Sequence, residues 1–271
     1  MTHFASPYYL VNGKLDAFIA PDDRGLAYGD GVFRTLKAVQ GAPVNWSLHY
    51  RKLESDCARL QLKCPASALL LEDISRLELP ESAVIKIIIT RGQGQRGYAI
   101  PADINPTRIV MTAALPVYPA RYDTAGVKVY VCETRLGHQP LLAGIKHLNR
   151  LENVLARMEW KDTAFAEGLM LDIKGRVIEG ISSNIFARYG KDVITPDLSN
   201  CGVAGVTRQQ ILELLPELGM RPRVSHMTLN KLLQADEIFL CNSIYGVWQV
   251  TTMADITWKP LSLASQLKKQ L

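Results

Sequence analysis

Proline and glycine interrupt this chain too often for any long element to form: 14 prolines and 19 glycines are spread through 271 residues. Neither residue sits well inside a helix or a central strand, so a chain punctuated this way folds into many short elements. Its apolar runs are equally short, such as the isoleucines at 87–89, and none has the length needed to cross a bilayer. With 48% hydrophobic and 21% charged residues, the composition excludes a disordered chain, a coiled coil and a collagen.

Periodicity between the breaks places the elements. Residues 8–11 and 32–39 read as strands. Ser47 reads as the N-cap of a helix over 47–63, with Leu53, Cys57 and Leu60 on one face. A second helix is expected over 65–77. The β-branched run AVIKIIIT (83–90) reads as a buried strand, and 107–115 as its neighbour. Residues 116–126 carry two prolines and a glycine with little apolar periodicity, which suits a linker between an N-terminal domain, 1–115, and a C-terminal domain, 127–271.

The second half opens on a strand, 127–133. A helix over 147–160 carries an apolar stripe of Leu148, Leu151, Val154, Leu155 and Met158. Hairpins are expected at 169–179, turning on Lys174 and Gly175, and at 183–195. A helix from Thr207 to about 218, a strand at 237–242 and a C-terminal helix complete the reading. Strands and helices mix without regular βαβ alternation, which points to an α+β fold.

Charge and cysteines narrow the function classes. The net charge of +5 is dispersed, with no basic run of the kind that tracks nucleic acid. An anionic small molecule accounts for a few inward arginines equally well. The five cysteines are scattered and never spaced CxxC, which argues for reduced thiols in the cytoplasm and against a zinc ribbon. The N-terminus MTHFASPYYL lacks a basic start followed by an apolar core, so a secretory leader is not expected.

Residues 92–97 fit G-x-G-x-x-G after a strong strand, but a dinucleotide site needs a helix to begin at that loop. Here the loop runs into YAIPADINP, whose prolines forbid it. Two readings stand: a strand-to-strand turn, or an arginine-bearing lip of a pocket.

The most informative segment is LLAGIKHLNRLENVL (141–155). Lys146 follows an apolar stretch where a helix is expected to begin. Burial and the positive helix end would lower its pKa and leave a neutral amine able to join a carbonyl; a solvated lysine fits the same spacing. Glu179, ending the strand RVIE, is either a turn residue or a partner for a protonated ring nitrogen. GVAGVTRQQIL (202–212) places Val206 and Thr207 at a helix start, which is an ordinary cap or a phosphate cradle. Arg51 lies in the 47–63 helix, where a surface arginine is the usual reading. Together these are the parts of a pyridoxal phosphate site.

The segments RGLAYGDGVFRTL (24–36), LHYRKL (48–53), AGIKHLNRLENVLAR (143–157), EGISSNIF (179–186) and GVTR (205–208) resemble the fold-type IV pyridoxal phosphate enzymes. AGIKHLNRLENVLAR with ITRGQGQRGY (89–98) looks specifically like the aminodeoxychorismate lyases of that class. The resemblance implies two α/β domains with pyridoxal 5'-phosphate in the cleft between them, and a homodimer. It implies that Lys146 is the Schiff-base lysine, that Glu179 pairs with the pyridine nitrogen, and that Ser183 and Asn184 line the ring. Arg51, Val206, Thr207 and Ser243 would bind the phosphate. The implied reaction, in folate biosynthesis, converts 4-amino-4-deoxychorismate to 4-aminobenzoate and pyruvate, with no metal. A D-amino-acid or branched-chain aminotransferase is the alternative. The substrate is a dicarboxylate, for which Arg91, Arg96, Arg34 and Arg150 are candidate contacts, together with Thr35. Arg34 departs from the lyase pattern, and Thr35 matches it.

Overall fold

In the computed structural model, which describes residues 9–15 and 17–271, the chain forms two units. Residues through Pro116 make up the first, joined by Ile145–Asn149; Val117–Gly144 and Arg150–Leu271 make up the second.

The first unit runs β1 (Tyr9–Val11), α1 (Arg24–Tyr28), β2 (Gly31–Val39), β3 (Ala42–Pro43), α2 (Trp46–Arg59), α3 (Ser67–Ser75), β4 (Ser82–Thr90) and β5 (Thr107–Ala114). Its five strands form an antiparallel sheet in the order β1-β5-β4-β2-β3. The expected strand at 8–11 is β1, with residue 8 outside the described residues. Alternation along β2 buries Val32, Arg34, Leu36 and Ala38 on one face. Leu53 and Cys57 of α2 and Ile85, Ile87 and Ile89 of β4 complete that core. The helix begins earlier than Ser47. Asn45 takes a left-handed conformation, which asparagine tolerates, and Trp46 opens α2.

The second unit runs α4 (Arg121–Thr124), β6 (Val127–Leu136), α5 (Leu151–Met158), β7 (Phe165–Asp172), β8 (Val177–Gly180), β9 (Asn184–Tyr189), β10 (Asp192–Pro196), α6 (Val206–Leu214), β11 (Arg221–Ser225), α7 (Leu229–Leu233), β12 (Glu237–Asn242), β13 (Gly246–Met253), β14 (Ile256–Thr257) and α8 (Leu263–Gln270). Its sheet has the order β11-β10-β9-β12-β13-β6-β7-β8, with β14 on β13. Both expected hairpins form, as β7-β8 and β9-β10. Within the stretch read as a linker, Tyr122 of α4 is buried among Trp248, Val250 and Met253.

The lysine segment departs from the expected helix over 147–160. Residues 146–148 pair with β2 through an isolated antiparallel bridge of His147 to Val32, and α5 starts only at Leu151. The reason is an open sheet edge. β3 pairs with β2 only at Ala38 and Val39, leaving backbone groups near Gly31 to be satisfied. Phe33 N–H donates to the Lys146 carbonyl at 2.9 Å, and Leu148 N–H to the Gly31 carbonyl at 3.0 Å. Lys146 therefore packs with the first unit, although the sequence places it within 127–271.

Among the described residues no helix is long and apolar enough to cross a membrane.

Candidate active site

Within the first unit, Lys146 is half-buried, with its Nζ 4.6 Å from the centroid of the Phe33 ring. Ile145, just before it, is fully buried and anchors the segment in the core. The Lys146 amide donates to Asp56 Oδ2 at 3.2 Å. A glycine fixes the other end of the segment. Gly29 has φ +66°, and a Cβ there would overlap the side-chain oxygen of Asn149. The YGDG and KHLN sequences thus meet at one place.

The candidate arginines of this unit separate. Arg34 lies on the core face of β2 and is ion-paired with the fully buried Asp56, which Lys52 also contacts. Thr35 alternates to the face it shares with Phe33. Arg91 is buried as well: Nε meets Asp30 Oδ2 at 2.8 Å, Nη1 the Gln61 carbonyl at 2.9 Å and Nη2 the Leu60 carbonyl at 2.7 Å. Arg34 and Arg91, expected among the substrate arginines, are thus engaged inside the unit. Arg51 on α2 and Arg96 on the 92–97 loop are exposed.

No helix begins at that loop, which disposes of a dinucleotide site. Arg24 clamps it instead, donating to the carbonyls of Gly97 at 2.9 Å, Ala99 at 3.3 Å and Tyr98 at 3.2 Å, while its Nε meets Asp30. At Gly92, φ is +95° and a Cβ would overlap the Asn105 carbonyl oxygen, so only glycine fits. Arg24 and Asp30 both lie in RGLAYGDG, but no periodicity announces a charge that folds back on a distant loop.

In the second unit, Glu179 lies in β8, one residue before its end, with 3% exposure, and accepts from Val203 N–H at 2.8 Å. Asn184 holds the same loop from the other side. Its Nδ2 donates to the Val203 carbonyl at 2.8 Å, and its Oδ1 accepts from Gly205 N–H at 3.1 Å. Gly144, two residues before Lys146 in the chain, also pairs with this loop, donating to the Gly202 carbonyl at 2.8 Å. The loop delivers α6, whose N-cap is Gly205, so no side chain caps its first turn. There the Thr207 and Ser243 hydroxyls stand 3.1 Å apart, and Val206 and Thr207 are buried. Asn242 builds the turn that carries Ser243 by accepting from Ile244 and Tyr245 N–H.

Behind Ser183 lies a residue that the sequence reading missed. Glu167 is buried and accepts from the Ser183 hydroxyl at 3.0 Å, the Ser182 hydroxyl at 2.6 Å and Gly168 N–H at 3.0 Å. Burial pushes its carboxyl up, against those hydrogen bonds, which pull it down. Arg150 is half-buried at the start of α5.

The family model for amino-transferase class IV matches residues 31–253. The chain belongs to this family. Among class IV proteins it is similar to an aminodeoxychorismate lyase of Vibrio harveyi, 40% identical over 244 residues that span 90% of each chain. It is also similar to the crystal structure of 4-amino-4-deoxychorismate lyase from Pseudomonas aeruginosa, with 44% identity, TM-score 0.93 and 97% of each chain covered. A putative branched-chain-amino-acid aminotransferase of Methanocaldococcus jannaschii is 30% identical over 238 residues, 85% of this chain and 82% of that one. The two-sheet mixed α/β architecture is the fold-type IV fold of class IV.

Proposed function

We propose that the protein is a pyridoxal phosphate-dependent lyase that converts 4-amino-4-deoxychorismate to 4-aminobenzoate and pyruvate. The observation that carries the reading is its likeness to lyases at 40% and 44% identity over nine-tenths or more of the chain. The donor set fits the cofactor in kind: a lysine amine on a fixed backbone, a buried carboxylate, and a helix start without a side-chain cap beside two hydroxyls. When bound, pyridoxal 5'-phosphate supplies a carbonyl that a primary amine can join and a ring that takes up the electron pair left by proton removal.

Residue roles follow from chemistry. The Lys146 amine would hold the cofactor, take the proton from C4 of the substrate and return it to the departing three-carbon group. Aromatisation of the substrate ring makes that departure downhill, so no second keto acid is required. Glu179 would face the ring nitrogen as a carboxylate, and Ser183 and Asn184 would keep their segment in register beside it. Val206 and Thr207 N–H groups, the Thr207 and Ser243 hydroxyls and Arg51 would bind the phosphate dianion. With Arg34 and Arg91 engaged inside the fold, Arg96, Arg150 and Thr35 remain as contacts for the dicarboxylate substrate.

A cytoplasmic homodimer completes the proposal. The stripe read from the sequence on α5 is exposed: Leu151 76%, Val154 52%, Leu155 54% and Met158 70%. An apolar helix face of this kind suits a second copy of the chain.

The deciding experiment supplies aminodeoxychorismate without any amino acceptor and measures pyruvate and 4-aminobenzoate. Equal amounts of both support the lyase. Turnover only with 2-oxoglutarate would make the enzyme an aminotransferase, the alternative that the 30% identical relative favours.

A further inference from the structure

We infer that Asp56 is a positioning residue for Lys146: its carboxylate holds the lysine's backbone amide and so fixes where the amine can reach. The inference rests on the proposed function, in which the Lys146 amine is the acting group.

Asp56 is fully buried in the last turns of α2, and its carboxylate has three kinds of donor. Arg34 of β2 meets Oδ2, Lys52 of the same helix meets Oδ1, and the Lys146 amide donates to Oδ2. The two cations suffice to neutralise one carboxylate. The third bond ties a helix, a strand and the lysine segment at one point, and an ionised acceptor makes it stronger than an ordinary amide bond. The Lys146 carbonyl is held separately by Phe33 N–H, so the lysine is fixed on both sides of its Cα. The Phe33 ring lies beside Nζ, so the side chain too is placed by the residue that holds the backbone. A proton carrier displaced by about 1 Å loses on the order of a hundredfold in rate, so an anchor at this backbone controls turnover without touching substrate.

Three variants separate positioning from charge balance. Asp56→Asn keeps an acceptor for the amide. Asp56→Glu keeps the charge but moves the acceptor by one methylene. The double variant R34M/D56L removes the ion pair together, leaving neither partner buried alone. Two readouts are taken: acylation of Lys146 in cofactor-free protein, followed across pH by peptide mass spectrometry, and kcat and KM of the loaded enzyme. We expect Asp56→Asn, which keeps the acceptor but removes the carboxylate charge beside Arg34 and Lys52, to keep kcat near the wild-type value while its acylation midpoint falls. Asp56→Glu and R34M/D56L should displace the midpoint by about one pH unit or more and lower kcat about tenfold or more at unchanged KM. If R34M/D56L matches the wild type in both readouts, the carboxylate only balances Arg34 and the inference is overturned. If R34M/D56L does not fold, Asp56→Glu against Asp56→Asn decides: matching kcat overturns the inference. Borohydride trapping of cofactor on wild-type Lys146 separates the two levels. Trapping with indifferent variants refutes the positioning role alone, and trapping elsewhere refutes the proposed function and this inference with it.

Discussion

Phe33 holds Lys146 twice: its N–H donates to the lysine carbonyl at 2.9 Å, and its ring centre lies 4.6 Å from Nζ. The lysine therefore belongs to a sheet edge and not to a helix start. Its amine is set by a strand register, which is more rigid than the first turn of a short helix. Borohydride reduction of the cofactor-loaded protein, followed by peptide mapping, should label Lys146 and no other lysine.

Glu179 is expected to act on the electronics of the ring. Glu179→Gln keeps a side chain that can accept from Val203 N–H, so the loop before α6 should hold its place. The expected outcome is a large fall in kcat with cofactor binding and thermal midpoint little changed. Wild-type turnover at neutral pH in that variant would show that the carboxylate does not face the ring.

Arg51 should matter for cofactor affinity. It is exposed on α2 and has no fold to support, so Arg51→Ala should leave stability within about 0.5 kcal/mol. Loss of a charged hydrogen bond to the phosphate should weaken cofactor binding by about 2–3 kcal/mol, measured by titrating the cofactor-free protein. Unchanged affinity would place the phosphate away from Arg51.

The two arginines of the glycine-rich loop should behave oppositely. Arg91→Ala leaves the Leu60 and Gln61 carbonyls without this donor and Asp30 with Arg24 alone of its two arginines, so denaturant unfolding should report a loss of roughly 2–4 kcal/mol. Arg96→Ala should raise KM with the unfolding midpoint unchanged, because Arg96 is exposed. A normal KM for Arg96→Ala would remove it from substrate binding.

His49 should give stability an acid dependence. It is buried on α2 with no hydrogen-bond partner for Nδ1 among the described residues, and burial, with Arg34 nearby, lowers its pKa from 6.5 to about 4. A depressed pKa means that the unfolded chain binds the proton more readily. The contribution is therefore complete above pH 6.5 and lost as the pH falls toward about 4, amounting to roughly 3 kcal/mol. Unfolding free energies measured between pH 7 and pH 4 should fall less steeply for His49→Phe than for the wild type.

Local chemistry made much of this protein legible from its residues alone. β-branched runs and hairpin turns placed most strands, because a strand's alternation and its glycine turns are set within a few residues. The Lys146, Glu179 and Val206–Thr207 segments stood out because an amine, an acid and a helix start carry their chemistry in their own side chains and backbone. Tertiary structure decided the rest. The apolar stripe from Leu151 to Met158 reads as a core face, yet it is exposed, since periodicity marks a face but not what covers it. Whether Lys146 opened a helix or joined a strand depended on the short β3 leaving the β2 edge unpaired, more than a hundred residues earlier in the chain. The arginines were sorted by partners equally distant in sequence: Asp56 took Arg34 into the core, and Asp30 with two carbonyls took Arg91. A guanidinium looks the same in every sequence window, and only the buried acceptors that the fold brings to it fix whether it serves the core or the substrate.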